Sequence, residues 1–405
     1  MLKIRIENLL DKVVIDMKLG DVCESVSLTF RRQQDKIILI NTSDVLDGKV
    51  TNHEYVLNKN LRGQFKKSFQ QQDILYSEIR PKNRRFAYID FNADDYVAST
   101  KLMVIRANDK ILPQFLFQVL KSDEIIDQLQ LLAETRSGTF PQITFSELAS
   151  LDVRIPPIPE QKGIAATLSC FDEKISNIAE KNHHLEQIAQ AIFNELYFTG
   201  DLSILGDYLT DIESGSRPKG GALLSGIPSI GAENIERFGV YDYSKEKYIS
   251  LDFFQRLQRG VVKSGDVLLY KDGAYTGKTS MALGGFPHQQ CAINEHVFIL
   301  RTNNKMPSQY FLYLLLRLDE NREKLFTMAS SKAAQPGLNQ NEVKALQILI
   351  PNVKLIAKFN NEVEPLFKQI ANNALENRRL AELRDTLLPK LMSGELSVSD
   401  IVGVK

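Results

Sequence analysis

Two segments of this chain, MVIRANDKILPQFLFQVL at 103–120 and FILRTNNKMPSQYFLYLL at 298–315, align without a gap. Arg106 meets Arg301, Asn108 meets Asn303, Lys110 meets Lys305 and Gln114 meets Gln309, an offset of 195 residues (301 − 106). The register continues through Pro141/Pro336, Glu147/Glu342, Leu151/Leu346, Pro156/Pro351, Ile175/Ile370, Leu185/Leu380 and Leu196/Leu391. Upstream, DILYSEI (73–79) matches DVLLYKD (266–272) at an offset of 193 (266 − 73), and LGD recurs at 19–21 and 205–207. A register held this long is an internal duplication, so each half is one domain followed by one copy of a second element. The chain of 405 residues is long enough for two such halves.

The second element is a long helix. Residues 161–198 contain no proline and one early glycine, with apolar residues at Ile164, Leu168, Phe171, Ile175, Ile178, Leu185, Ala189, Ile192 and Leu196. That is a 4-3 spacing with one polar interruption, Asn182. The second copy runs Phe359, Val363, Leu366, Ile370, Leu380, Leu387 and Leu391, interrupted at Asn377. Pro365 is expected to kink or restart this helix near its beginning. A lone helix with one apolar seam is unstable, and the available partner is the other copy. Short connections to the domains predict an antiparallel coiled coil. At ~1.5 Å per residue, the first segment makes a rod of roughly 57 Å. An asparagine in such a seam costs stability and fixes register when it pairs.

Lys+Arg and Asp+Glu both number 50, so any electrostatic role must come from local clustering. Between 59 and 85 the basic residues are Lys59, Arg62, Lys66, Lys67, Arg80, Lys82, Arg84 and Arg85, opposed only by Asp73 and Glu78. Such a cluster suits a phosphate backbone, and the interleaved Gln64, Gln70, Gln71 and Gln72 carry groups able to read adenine edges. The second half offers Arg217 and Lys219 in SGSRPKGG, then Arg256, Arg259 and Lys263, then Lys271, Tyr275 and Lys278. The segments ETRSGTFPQITF (134–145) and ASSKAAQPGLNQ (329–340) read as loops locking each domain onto its helix, with Arg136 and Lys332 as phosphate contacts.

KDGAYTGKTS at 271–280 imitates a phosphate-binding loop. Its glycines, Gly273 and Gly277, stand one residue too close, and Gly284, Gly285 and Pro287 deny it the following helix. A strand, a glycine turn and a second strand are expected instead. Its counterpart RPKNRRFAY has no glycine but places Arg85 on Lys278, a basic side chain retained in both copies. The five histidines form no metal spacing, and Cys23, Cys170 and Cys291 lie too far apart for a zinc ribbon or a disulfide framework. The only Pro-Pro, at 156–157, lacks the flanking polar and aromatic residues of an adenine methylase motif, and no glycine-rich cofactor loop follows a strand. No metal or cofactor is therefore expected, and no catalysis. The longest apolar run, YFLYLLL at 310–316, is far short of a membrane span, so a cytoplasmic protein with no membrane partner is expected.

The junctions LDVRIPPIPEQKGIA (151–165) and, degenerate, LQILIPNVKLIAKF (346–359), with GDVLLYKDGAYTGK and SKAAQPGLNQNEV, resemble the specificity subunit of a type I restriction-modification system. The resemblance covers essentially the whole chain and implies an α+β fold. Two similar α/β target recognition domains (1–153 and 200–349) would be separated by two long helices (154–199 and 350–405). The helices would form an antiparallel coiled coil with internal pseudo-two-fold symmetry. It further implies a non-catalytic subunit that reads the two halves of a split, asymmetric site in double-stranded DNA. Two methyltransferase subunits would dock on the helices, and restriction subunits would join through the complex. The resemblance is weakest at the second junction, where Lys354-Leu355-Ile356 replaces PEQ. A coiled-coil scaffold with merely solvated basic loops is the competing expectation.

Overall fold

The structure, a computed structural model, describes residues 14–31, 34–59, 63–135, 141–331 and 337–399. Arg62, Arg136 and Lys332 lie outside these described residues. The chain forms two compact units, one of residues up to Glu173 with those from Ala381 onward, the other Lys174–Leu380.

In the first unit an antiparallel four-stranded sheet runs in the order Cys23–Val26, Leu102–Ala107, Ile74–Ser77, Phe86–Tyr88. Period-two alternation sends its side chains to two cores. Ile74, Tyr76, Phe86, Met103 and Ile105 pack on helices Pro113–Leu120 and Asp123–Thr135. Leu75, Ala87, Leu102 and Val104 face a second sheet, ordered Tyr55–Leu57, Lys36–Ile40, Tyr96–Ser99, Phe65–Lys67. The second unit repeats this plan. Its antiparallel sheet runs Leu209–Ser214, Val297–Thr302, Val267–Tyr270, Thr279–Met281, with helices on one face and the strands Tyr248–Ile249, Ile227–Ile230 and Ala292–Ile293 on the other.

The duplication is legible down to single hydrogen bonds. Leu19 N–H donates to Leu151 O at 3.0 Å, as Leu205 donates to Leu346 O at 2.9 Å. Asn108 Nδ2 reaches Asp21 O at 3.0 Å, as Asn303 Nδ2 reaches Asp207 O at 3.0 Å. The short helices Phe145–Ala149 and Gln340–Lys344 both open on a capping box, Thr144 with Glu147 and Asn339 with Glu342. A two-stranded ribbon closes each domain just before its long helix, Ile15–Lys18 against Asp152–Ile155 and Asp201–Ile204 against Gln347–Ile350.

The long helices span Ile158–Tyr197 and Val353–Ser393. Both contribute to both units, and in each unit they run antiparallel. In the second unit Ile175 lies opposite Asn377, Asn182 opposite Asn373, and Phe193 opposite Phe359. In the first, Asp172 meets Arg384, and Ile164 and Leu168 share a core with Leu388 and Leu391.

Two readings of the helices need correction. The second helix passes unbroken through Pro365. That ring is on the exposed side, so the Asn361 carbonyl it deprives of a partner is left to water. The seam also shifts by one residue where the helices meet the second domain: Phe193, Tyr197 and Phe367 are buried, while Ile192, Leu196 and Leu366 are only partly so. The domain helix Gln309–Arg317 packs there too, through Phe311 against Phe193 and Phe359, so the buried stripe faces two neighbours rather than one. Of the two interrupting asparagines, Asn182 pairs with an asparagine of the other helix and Asn377 with a backbone carbonyl. Asn373 Nδ2 donates to Asn182 Oδ1 at 2.7 Å, and Asn377 Nδ2 donates to Ile175 O at 3.2 Å.

A carboxylate on the first helix ties each domain to its helices. Asp172 accepts from Lys121, at the end of helix Pro113–Leu120, and from Arg384 at 2.8 Å. Glu186 accepts from Tyr313 at 2.9 Å and faces Arg317 and Arg237, both at 3.4 Å.

Candidate nucleic-acid interface

The basic clusters sit on and around one hairpin in each domain. In the second domain strand Val267–Tyr270 turns through Gly273–Tyr275 into strand Thr279–Met281. In the first, Ile74–Ser77 turns through Pro81–Asn83 into Phe86–Tyr88. The two turns are equivalent, because Ser77 N–H donates to Arg85 O at 2.8 Å and Tyr270 N–H to Lys278 O at 2.9 Å. Both hairpins are floored by the paired arginines. Arg106 holds Asp73, and Arg301 holds Asp266 and Glu213. The two aspartates also cap the turns that lead into the hairpins, accepting from Gln70 N–H and Lys263 N–H at 2.8 Å each.

The hairpin turns themselves share a left-handed backbone at two positions and differ in the residues that adopt it. Gly273 and Gly277 have φ of +64° and +90°, and the equivalent positions of the first turn, Arg80 and Arg84, have +45° and +52°. A left-handed angle is free for glycine and costs an L-residue about 1–2 kcal/mol.

Few of the cations expected to face nucleic acid are unengaged. Lys82 pairs with Asp127 at 3.3 Å. Arg84 binds Asp123 and lies 3.6 Å from Asp47. Arg85 Nη1 donates to Ser43 O and Val45 O, at 3.1 and 3.3 Å, and so buttresses the neighbouring loop. Lys67 Nζ donates to Leu102 O at 2.8 Å, and burial pulls its ammonium below the usual lysine value. Lys278 reaches Glu236 at 2.5 Å and lies 4.7 Å over the Tyr275 ring. Lys271 lies 5.2 Å over Phe298 and 3.8 Å from Asp272, and Arg217 is 3.6 Å from Glu295. The basic side chain shared by both copies at Arg85 and Lys278 thus has an intramolecular role in each. Sequence reading could not see this, because the partners are 40 or more positions away.

Lys66, Arg80, Lys219 and Arg259 are exposed and make no side-chain hydrogen bond or ion pair among the described residues. Tyr275 is also exposed. Two groups went unnoticed in the sequence. The first is the aromatic set of the outer sheet, where Phe91 and Tyr96 lie 4.8 Å apart and His53 Nδ1 is 2.8 Å from Tyr96 Oη. The second is Arg378 of the second helix, 4.3 Å over the Tyr243 ring. Neither shows a periodicity that would betray it. Among the described residues no group of three His, Cys, Asp or Glu side chains is placed to hold a metal, and no helix is long and apolar enough to cross a membrane.

The docking positions divide by burial. Ile164, Leu168, Phe359, Val363 and Ile370 are buried, whereas Phe171, Ile175, Leu185, Leu366 and Leu380 are partly exposed. An apolar cluster that the seam reading did not include surrounds the second junction, where Phe198, Leu202, Ile204, Val353 and Leu355 are exposed.

Residues 13–187 match the family model described as a type I restriction modification DNA specificity domain, a span that takes in the first domain and most of the first helix. The HindI specificity subunit of Haemophilus influenzae is 29% identical over 455 aligned positions, covering 94% of this chain and 99% of that protein. The MjaIX specificity subunit of Methanocaldococcus jannaschii is 26% identical, covering 72% of this chain and 71% of its own length. In fold, the chain is similar to the S subunit of a type I restriction-modification system from M. genitalium, with a TM-score of 0.53 at 16% identity over 94% of this chain and 96% of that one.

Proposed function

We propose that this chain is a specificity subunit of a type I restriction-modification system, the sequence-reading part of a DNA-modifying complex, as its likeness to such subunits supports. It binds DNA sequence-specifically. Residues 1–153 and 200–349 are the two reading domains in this reading, each addressing one half of a split site. One observation carries most of the weight: two domains with the same strand order and the same structural ion pair present turns of unlike sequence, RPKNRR against KDGAYTGK. Scaffolds repeated for stability alone would have no reason to diverge there. Unlike turns on like frames suit an asymmetric target.

Lys66, Arg80, Lys219 and Arg259 are the leading contacts, because using them breaks no side-chain bond among the described residues, and the exposed Tyr275, against which Lys278 packs, joins them. Lys67, Lys82, Arg84, Arg85, Arg217, Lys271 and Lys278 shape the turns and contribute to the local positive potential. The helices and the apolar cluster at Phe198, Leu202, Ile204, Val353 and Leu355 offer surface for two methyltransferase subunits, with restriction subunits joining through them. The chain itself is non-catalytic and works in the cytoplasm.

Methylation-sensitive sequencing of a host with and without this chain tests the reading. Adenine methylation at a two-part asymmetric motif should appear only when the chain is present. A methylome without such a motif, in cells where the partner subunits co-purify with this chain, would leave a scaffold as the better account.

A further inference from the structure

We propose that Arg80 reads a base in the first half-site, its guanidinium supplying the two hydrogen bonds that the major-groove edge of a guanine accepts. This rests on the DNA-reading function above and narrows it to one residue. The duplication provides the comparison. Arg80 stands where the second domain has Gly273, and Arg84 where it has Gly277, in turns tied by the same backbone bond, Ser77 to Arg85 and Tyr270 to Lys278.

A side chain built on Gly273 would meet nothing within 4 Å, so that glycine is there for its backbone angle alone. The first domain adopts a comparable angle, φ +45°, with arginine. Pro81 follows directly and adds a second restriction, since a residue before proline is driven toward extended conformations. Glycine would relieve both.

Arg84 carries the same kind of strain but recovers it inside the fold, through Asp123 and Asp47. Arg80 does not. Its backbone is fixed, with its N–H on Pro141 O at 3.1 Å and its carbonyl accepting from Asn83 N–H at 2.8 Å, while its exposed guanidinium has no partner among the described residues. Strain with no return among the described residues points to a return in a ligand.

A base contact accounts for this better than a phosphate contact. Neutralising phosphate is a task both domains share, and Lys66 in the same domain carries a free ammonium in unstrained backbone. The second domain dispenses with a side chain at this position altogether. A residue that distinguishes two otherwise matched frames is where different half-sites would be told apart. The planar guanidinium fork fits guanine O6 and N7 together, which a lysine cannot match.

The test uses the full chain assembled with its methyltransferase subunits and DNA carrying the motif found by methylation sequencing. Arg80→Gly should melt at the same temperature or higher. It should lose about 5- to 150-fold discrimination at one base pair of one half-site, the worth of a bidentate base contact. Arg80→Lys should lose it as well, and the other half-site should be read as before. Replacing that guanine with 7-deazaguanine should weaken the unaltered complex and leave Arg80→Gly unaffected. Unchanged discrimination in Arg80→Gly would overturn the proposal. So would a uniform loss rescued by lysine, with a salt dependence shallower by about one phosphate, since that is a backbone contact. A lower melting temperature for Arg80→Gly would assign the arginine to the hairpin instead. An unaltered complex with no sequence preference at all would sink the DNA-reading function itself, a result that needs no variant to recognise.

Discussion

Arg301 holds Asp266 by two parallel hydrogen bonds, Nε to Oδ1 at 2.6 Å and Nη2 to Oδ2 at 2.7 Å. Asp266 is almost fully buried, and the same clamp recurs as Arg106 on Asp73, at 2.7 Å for both bonds. The matched arginines seen in the sequence are therefore structural: they fasten the strand Val297–Thr302, or Leu102–Ala107, to the start of the neighbouring hairpin.

Removing one partner from such a pair leaves an uncompensated buried charge, which costs about 3–5 kcal/mol. Arg301→Met should lower the unfolding free energy obtained from urea titration by that amount, and Arg106→Met should do the same. A loss below ~1 kcal/mol for either would show that the clamp is dispensable.

The asparagine pair of the helices gives a second prediction. Asn182 and Asn373 are both buried and bonded to each other, and Asn182 Nδ2 also reaches Ile370 O at 3.3 Å. Asn182→Ala strands the Asn373 amide and should cost about 1–3 kcal/mol in thermal unfolding. The double change Asn182→Leu, Asn373→Leu should recover stability while relaxing register, read as lost cooperativity of the melt.

Asp172 supplies a pH dependence. Burial opposes its ionisation, but the neighbouring Lys121 and Arg384 outweigh it and hold the carboxyl below the ordinary aspartate range. A carboxylate depressed on folding adds stability that is complete above the unfolded value, about 3.9, and is lost as pH falls through the folded one. Asp172→Asn should therefore flatten the acid limb of the melting-temperature profile below about pH 4. At neutral pH it should also destabilise the fold, because the two cations then face each other without it. An acid limb identical to that of the unaltered chain would refute the assignment.

Lys66 and Lys219 are exposed and unpaired among the described residues, so replacing them leaves the fold intact. Lys66→Ala and Lys219→Ala should each weaken DNA binding equally across sequences. Each should also make the slope of log affinity against log salt shallower by about 0.9. A change in sequence preference would instead mark a base contact.

The duplication, the order of domain and helix, and the strand-turn-strand nature of KDGAYTGKTS were all legible in the residues. These are local patterns: a matched register, a 4-3 spacing, glycines where a helix would be needed. The seam was read correctly at Ile164, Leu168 and Ile370, and was one residue off at Phe193, Tyr197 and Phe367, where Gln309–Arg317 joins the contact. A one-dimensional pattern gives the apolar face of a helix, and the residues of a packing domain decide which edge of that face is covered. Pro365 was read by the usual rule for helix interiors, which matters less on a face where water takes the orphaned carbonyl.

By itself the sequence determined that this protein is two versions of one frame joined through paired helices, because hydrophobic period and repeat register are properties of neighbouring residues. Tertiary structure alone decided which cations are free. Arg84 and Arg80 are four positions apart and alike in charge, yet one is absorbed by Asp123 and Asp47 while the other has no side-chain partner among the described residues. Charge pairing is settled in space by residues distant along the chain, and no local pattern encodes it.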